Sequence, residues 1–411
     1  MKPFIVLALL INIAIFSFGQ ENLIPQLIKE NSKTLSAWAQ NPDQYEIQVI
    51  YTQIDRDENN HPSFKSHYWK VNPNRYFYPA STVKMPAAIM ALEKLNQLGI
   101  RDLDLHTPMR NFAATPPQSA VHIDTSAQSG LASIGHYIRK IFLVSDNDAH
   151  NRLYEFLGQR YFNESLHNKG YDYARLIHRL SVGGFDKEGN RYTNPVQFYD
   201  AATGAIIYHQ GEVYSKFYPE LGLEDEVRGK GYWDDEQKKV IHEAFDFRYK
   251  NAISLENLND ILRAVLFPEA TPKEQQFDLS EEDYQWLYKA MYQYPKESEY
   301  PKYKYGDNYV KFWMYGKGEQ NIPDHIRIFN KVGWAYGFLT DVAYIVDFET
   351  GTEFMLSGLI HVNKNQIFND GQYEYENIGL PFFAELGKLI YEYDKARKRK
   401  NSADLSKFWI K

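Results

Sequence analysis

Ser81 and Lys84 stand three residues apart in the run Ser81-Thr82-Val83-Lys84. On a helix that spacing puts a hydroxyl and an amine on one face, where the amine can take the hydroxyl's proton. A serine activated this way can attack a carbonyl carbon and form a covalent acyl intermediate without a histidine. Two further runs supply the groups such chemistry still lacks. Ser145-Asp146-Asn147 brings a second hydroxyl and a carboxamide, and Lys331-Val332-Gly333 brings a second cation. Either lysine-containing run recurs by chance in chains of this length, so the information lies in the three together and in their order.

The elements that must position these runs follow from apolar periodicity. Residues 22–41 have a helical rhythm, and residues 45–52 and 64–71 alternate as strands around a polar turn, which predicts a hairpin. Pro79-Ala80 opens a helix that carries Ser81 and Lys84, and the stripe Ile134, Ile138, Ile141, Phe142 leads straight to Ser145. Helical patterns return at 255–266 and 280–292. Three strand-like runs (326–333, 341–348 and 353–362) and a closing amphipathic helix at 380–393 complete the chain. Strands at both chain ends with helices between them predict an α+β fold, a five-stranded antiparallel sheet flanked by helices plus an all-helical lobe. The sheet lobe takes approximately residues 22–80 and 324–397, and the helical lobe approximately 81–323. Within that lobe, 201–251 reads as an insertion and 294–323 as a lengthened Tyr/Lys/Pro-rich loop.

Bulk properties narrow the function classes. Lys2, an apolar stretch from Phe4 to Phe16 and Ser17-Phe18-Gly19 read as a secretory signal peptide over residues 1–19. Export to the periplasm or beyond the cell is the expectation, with no transmembrane segment left after signal removal. The 411 residues contain no cysteine, which excludes disulfides, thiolate metal sites and a cysteine nucleophile. A net charge of −7 argues against a nucleic-acid partner. The 32 tyrosines read as ordinary half-buried surface or as stacking platforms for sugars, the former being the commoner role. The basic tail 395–400 reads as a solvated helix end.

The three runs and their flanks resemble the active-site signature of the class A β-lactamase and penicillin-binding D,D-peptidase superfamily. The agreement extends to Phe77-Tyr78-Pro79-Ala80 before the serine, Met85-Pro86 after the lysine, and Trp334-Ala335-Tyr336-Gly337 running into Thr340-Asp341. The resemblance implies the two-lobe fold with the serine at the junction. It implies Ser81 as nucleophile, Lys84 as general base, Ser145 as proton relay and Lys331 as the cation beside them. Asn147, Gly333 and Trp334 would bind substrate, with the Trp334 and Ser81 N–H groups as oxyanion hole. Asp146 would fix its loop, and Arg179 would anchor the loop that ends at Ser181. No cofactor and no metal are called for. The expected substrate is a β-lactam or a peptidoglycan stem peptide in the bacterial cell envelope.

Two departures bear on substrate. Val332 stands where the family has a threonine or serine hydroxyl, so one ligand for a substrate carboxylate is missing. Ser181 stands where class A β-lactamases carry the glutamate that activates the deacylating water, about 35 residues after the Ser-Asp-Asn run. Glu164 has about half the required spacing to replace it. These departures predict a poor penicillinase. The alternative is a non-catalytic muropeptide- or glycan-binding protein on the same fold. His136, His150 and His178 have no metal spacing and read as structural.

Overall fold

The computed structural model describes residues 22–318 and 321–410; the expected signal peptide lies outside the described residues. Five strands, β1 (Gln48–Arg56), β2 (Pro62–Trp69), β3 (Ile326–Ala335), β4 (Phe338–Asp347) and β5 (Thr352–His361), form one antiparallel sheet. Its order is β3-β4-β5-β1-β2, so the two ends of the chain meet at β5–β1 and β3 is left as an edge. β4 and β5 are buried almost throughout rather than on alternate residues, because both sheet faces are covered. On one face Val49, Tyr51, Ala343 and Ile345 pack against helices α1 (Leu23–Asn31), α2 (Lys33–Gln40) and α9 (Leu380–Ala396). On the other, Ile50, Val342, Tyr344 and Met355 join the core of the helical lobe.

That lobe is built on α3 (Lys84–Gln97), α4 (Ile134–Val144), α5 (Asn147–Leu157) and α6 (Gln159–Asn168), with α7 (Leu255–Leu266) and α8 (Glu281–Tyr292) against the sheet. Helix α3 runs through its centre, with Lys84 to Glu93 all buried. Pro86 sits in its first turn, where a missing N–H leaves no hydrogen bond unmade.

Local chemistry shifts three of the expected elements. The rhythm over 22–41 is split at Ser32, whose extended backbone ends α1 and whose side chain accepts from Leu35 N to cap α2. The helix expected to carry Ser81 begins as a 3₁₀ turn, Ala80–Val83, and becomes α-helical only at Lys84. The helical lobe also carries short strands, concentrated in the insertion, where Gly231–Asp234 pairs in parallel with Ile367–Phe368 beyond β5. The basic tail is not a solvated end throughout. Arg397 donates to Asp55 at 2.6 Å, and Arg399 pairs with the buried Asp394. No helix among the described residues is long and apolar enough to cross a membrane.

Candidate active site

Edge strand β3 and the Ala80–Val83 turn are pressed together. A Cβ on Gly333 would lie 2.4 Å from Pro79 O, 2.9 Å from Thr82 N and 3.0 Å from Ser81 N. These are backbone atoms and cannot swing aside. The glycine is therefore required by the packing of strand against turn. Gly333→Ala should lower the melting temperature, since overpacking costs about 1–3 kcal/mol. It should also slow any acylation of Ser81 by about 100-fold, because an ångström of misplacement is enough for that. Thermal denaturation and time-resolved intact mass read both effects.

The Ser145-Asp146-Asn147 run is a junction between two helices. Ser145 ends α4 in a left-handed conformation (φ 56°), and Asp146 caps α5 by accepting from Ala149 N at 2.8 Å. The junction turns Ser145 and Asn147 toward Lys84. The Lys84 ammonium donates to the Ser145 carbonyl, to Asn147 Oδ1 at 2.6 Å and to Ser145 Oγ at 3.3 Å. From β3, Lys331 Nζ reaches the same Ser145 Oγ at 2.9 Å and Val332 O at 2.8 Å. An oxygen that accepts from two amines keeps its own proton free for a third partner.

Both lysines are buried. Burial pulls the Lys84 pKa down to about 7, against the opposing pull of Asp146. Desolvation is the main cause. Burial and then the charge of Lys84 push Lys331 well below the usual lysine value. His150 is buried beside them, its pKa pushed down by burial and then by Lys84, and its Nδ1 has no hydrogen-bond partner. It is a neutral packing group there. His136 hydrogen-bonds Ser126 at 3.0 Å and Asp124 at 3.2 Å.

Sequence reading missed a third buried lysine. Lys311, in the lengthened loop, donates to Met291 O (2.5 Å), Ile328 O (2.8 Å) and Asn330 Oδ1 (2.7 Å). Asn330 in turn donates to Asp341 Oδ1 at 2.7 Å, and Asp341 Oδ2 accepts from Phe312 N at 3.0 Å. Burial raises Asp341 to about 6 and lowers Lys311 to about 7. The network clamps the loop to β3 one residue before Lys331. No spacing in the sequence joins Lys311 to Lys331.

Ser81, Ser145, Asn147, Ser181 and Trp334 line one cleft of about 990 Å³. Five of its lining residues (Ala80, Ser145, Ser181, Tyr336 and Asn369) have left-handed backbones although none is glycine. Such strain, roughly 1–2 kcal/mol per residue, persists where the surrounding structure enforces it and tends to gather at functional sites. Seven tyrosines share the walls, including Tyr305 and Tyr309 stacked 4.0 Å apart on one side and Tyr375 stacked with Trp334 at 5.9 Å on another. Beside Ser81 and Ser145, Val332 joins Val144, Val310 and Phe312 in the apolar part of a small recess, to which it brings no hydroxyl.

Arg179 donates to Glu155 Oε1 at 3.1 Å, Tyr192 O at 3.1 Å and Asn194 Oδ1 at 3.0 Å, and so ties down the loop. Asn151 clamps the next residue at both ends, its Oδ1 accepting from Leu180 N at 2.8 Å and its Nδ2 donating to Leu180 O at 3.0 Å. Ser181 is thereby held exposed on the cleft wall. Glu164 lies on α6, paired with Arg160 at 2.8 Å, and takes no part in lining the cleft.

Residues 30–216 match the model of the Beta-lactamase enzyme family, a stretch that includes Ser81, Lys84, Ser145, Asn147 and Ser181 and stops short of Lys331. No curated protein matches the chain. Among solved structures, a class A β-lactamase from Clostridium kluyveri is 15% identical, with 89% of this chain and 98% of that one covered and a TM-score of 0.46. A mutant of PBP-A, solved as an acyl-enzyme complex with penicillin G, is 12% identical, with 90% and 95% covered and a TM-score of 0.47. A variant of the TLA-1 extended-spectrum β-lactamase is 12% identical, with 87% and 96% covered and a TM-score of 0.47. Over residues 30–216, the stretch that carries the nucleophile candidate, the chain is similar to the Beta-lactamase enzyme family, and the fold brings the Lys84, Ser145 and Lys331 of its three runs together.

Proposed function

We propose that the protein is an exported serine hydrolase that opens amide bonds through an acyl-enzyme on Ser81, with a β-lactam or peptidoglycan-type peptide as acyl donor. The observation that supports it most is the meeting of Lys84 and Lys331 on one hydroxyl, Ser145 Oγ, within the cleft that Ser81 lines. Neutral Lys84 takes the Ser81 proton as Ser81 Oγ bonds to the carbonyl carbon. The N–H groups of Ser81 and Trp334 hold the resulting oxyanion. The proton passes through Ser145 to the departing nitrogen as the C–N bond breaks. Water then cleaves the ester, and its proton restores Ser81. With Ser181 in place of a carboxylate base, this second half is slow for penicillins.

Incubation with penicillin G followed by intact mass tests the reading. The expected result is a stable adduct on the unaltered protein and none on Ser81→Ala. The absence of an adduct on the unaltered protein, from penicillin and from D-alanyl peptide thioesters alike, would favour a non-catalytic binding protein instead.

A further inference from the structure

The insertion and the loop after Arg179 enclose a second cavity of about 620 Å³, with Phe185, Tyr232, Trp233 and Tyr249 among its walls. It adjoins the cleft, sharing Tyr78, Ser181, Tyr336 and Asn369 with it. Lys250 lines this chamber half-buried, its ammonium 5.9 Å from the centre of the Phe245 ring, and it forms no ion pair with any described carboxylate. The carboxylates on the same walls are already held. Asp186 accepts from Gly189 N at 2.7 Å, and Asp235 accepts from Trp233 Nε1 at 3.2 Å and Asn369 Nδ2 at 3.0 Å. Lys187 is exposed and lies over the Tyr249 ring at 4.7 Å.

Two more nitrogens in these walls are buried without a partner. Arg179 pairs with Glu155 and lies over the Phe185 ring at 4.1 Å, but its Nη1 makes no hydrogen bond, and neither does His178 Nε2. Lys250 is near enough to His178 to help depress the imidazole's pKa, after burial itself, and burial also depresses the Lys250 pKa. Withdrawing the Lys250 ammonium from water is costly unless an anion with acceptor oxygens meets it. Of the two lysines in these walls, Lys187 is exposed and Lys250 half-buried, so Lys250 is the one that calls for a negative charge, and the aromatic walls call for an apolar or ring-bearing stem behind it.

We infer that this chamber receives the acyl arm of the substrate and that the arm ends in a carboxylate, held by Lys250. The inference rests on the acyl-transfer reading for calling the ligand an acyl donor. It also gives the insertion a role beyond the packing of Phe247 into the core. Recognition by this route differs from a carboxylate ligand at Val332, where the recess is apolar.

The test uses the full-length mature protein carrying Ser81→Ala, titrated calorimetrically with N-glutaryl-D-alanine amide and with its methyl ester. The free acid should bind at least 10-fold more tightly than the ester. Adding Lys250→Ala should bring the two affinities together, whereas Lys250→Arg should keep the preference. Equal affinities at the outset, no binding of either ligand, or a preference that survives Lys250→Ala would each overturn the inference. Because Ser81→Ala cannot be acylated, this titration reads the chamber independently of the chemistry. Failure of penicillin and thioesters to modify the unaltered serine would count against the proposed function and leave the titration standing.

Discussion

Lys84→Met is expected to slow acylation of Ser81 by about 10²–10⁴-fold, the range that general-base catalysis contributes. Methionine keeps the apolar stem inside the buried α3, so a folded protein should remain, although Asn147 Oδ1 and the Ser145 carbonyl lose their donor. The pH profile carries the sharper test. Lys84 takes a proton only as a neutral amine, and its folded-state value lies at about 7 because burial disfavours the charged form. The acylation rate of the unaltered protein should therefore rise as pH passes upward through 7 and level off above it. Stopped-flow or quenched-flow mass measurements across pH 5–9 read the curve. An inflection that stays in place in Lys84→Met would assign the titration to another group and remove Lys84 from the role.

The second large effect concerns turnover. Ser181→Glu should speed hydrolysis of a penicilloyl adduct by at least about 100-fold, as expected of a positioned base acting on water. The scaffold for it is already in place. Arg179 and the Asn151 clamp on Leu180 fix the loop, and Ser181 stands exposed on the wall of the cleft that Ser81 lines. The substitution meets one local cost. Position 181 has a φ of 49°, and a glutamate there carries roughly 1–2 kcal/mol of left-handed strain that the serine already bears in part. The measurement is the lifetime of the adduct by intact mass after excess penicillin is removed. A lifetime unchanged by the glutamate would mean that the loop does not bring its side chain to the acyl carbonyl.

Much of the fold was legible along the chain. The hairpin at the start, the three closing strands, α7, α8 and the stripe of α4 all follow from apolar spacing, and the structure has each of them within a few residues. The exceptions were local. Ser32 cut one rhythm into two helices with a single cap, and Ala80 adopted a conformation that alanine rarely takes. Neither could be read from periodicity, because the first competes with it and the second is imposed by β3 pressing on the turn. The tail was misread because its charge pattern does not disclose that Asp394 and Asp55 wait for Arg397 and Arg399.

For the site, the sequence alone singled out the side chains: Ser81, Lys84, Ser145, Asn147 and Lys331 stand in three short runs whose order carries the information. The structure brings Lys84 and Lys331 onto Ser145 Oγ and Asn147 onto Lys84, with Ser81 on the wall of the same cleft. Tertiary structure alone decided the rest: the burial that tunes Lys84, the Lys311–Asn330–Asp341 clamp, the tyrosine walls and the chamber around Lys250. The division has a physical cause. Spacing within a helix or strand is fixed by local backbone geometry and is written in neighbouring residues. Desolvation and unpaired charge depend on which distant segments exclude water, and no short stretch of sequence records that.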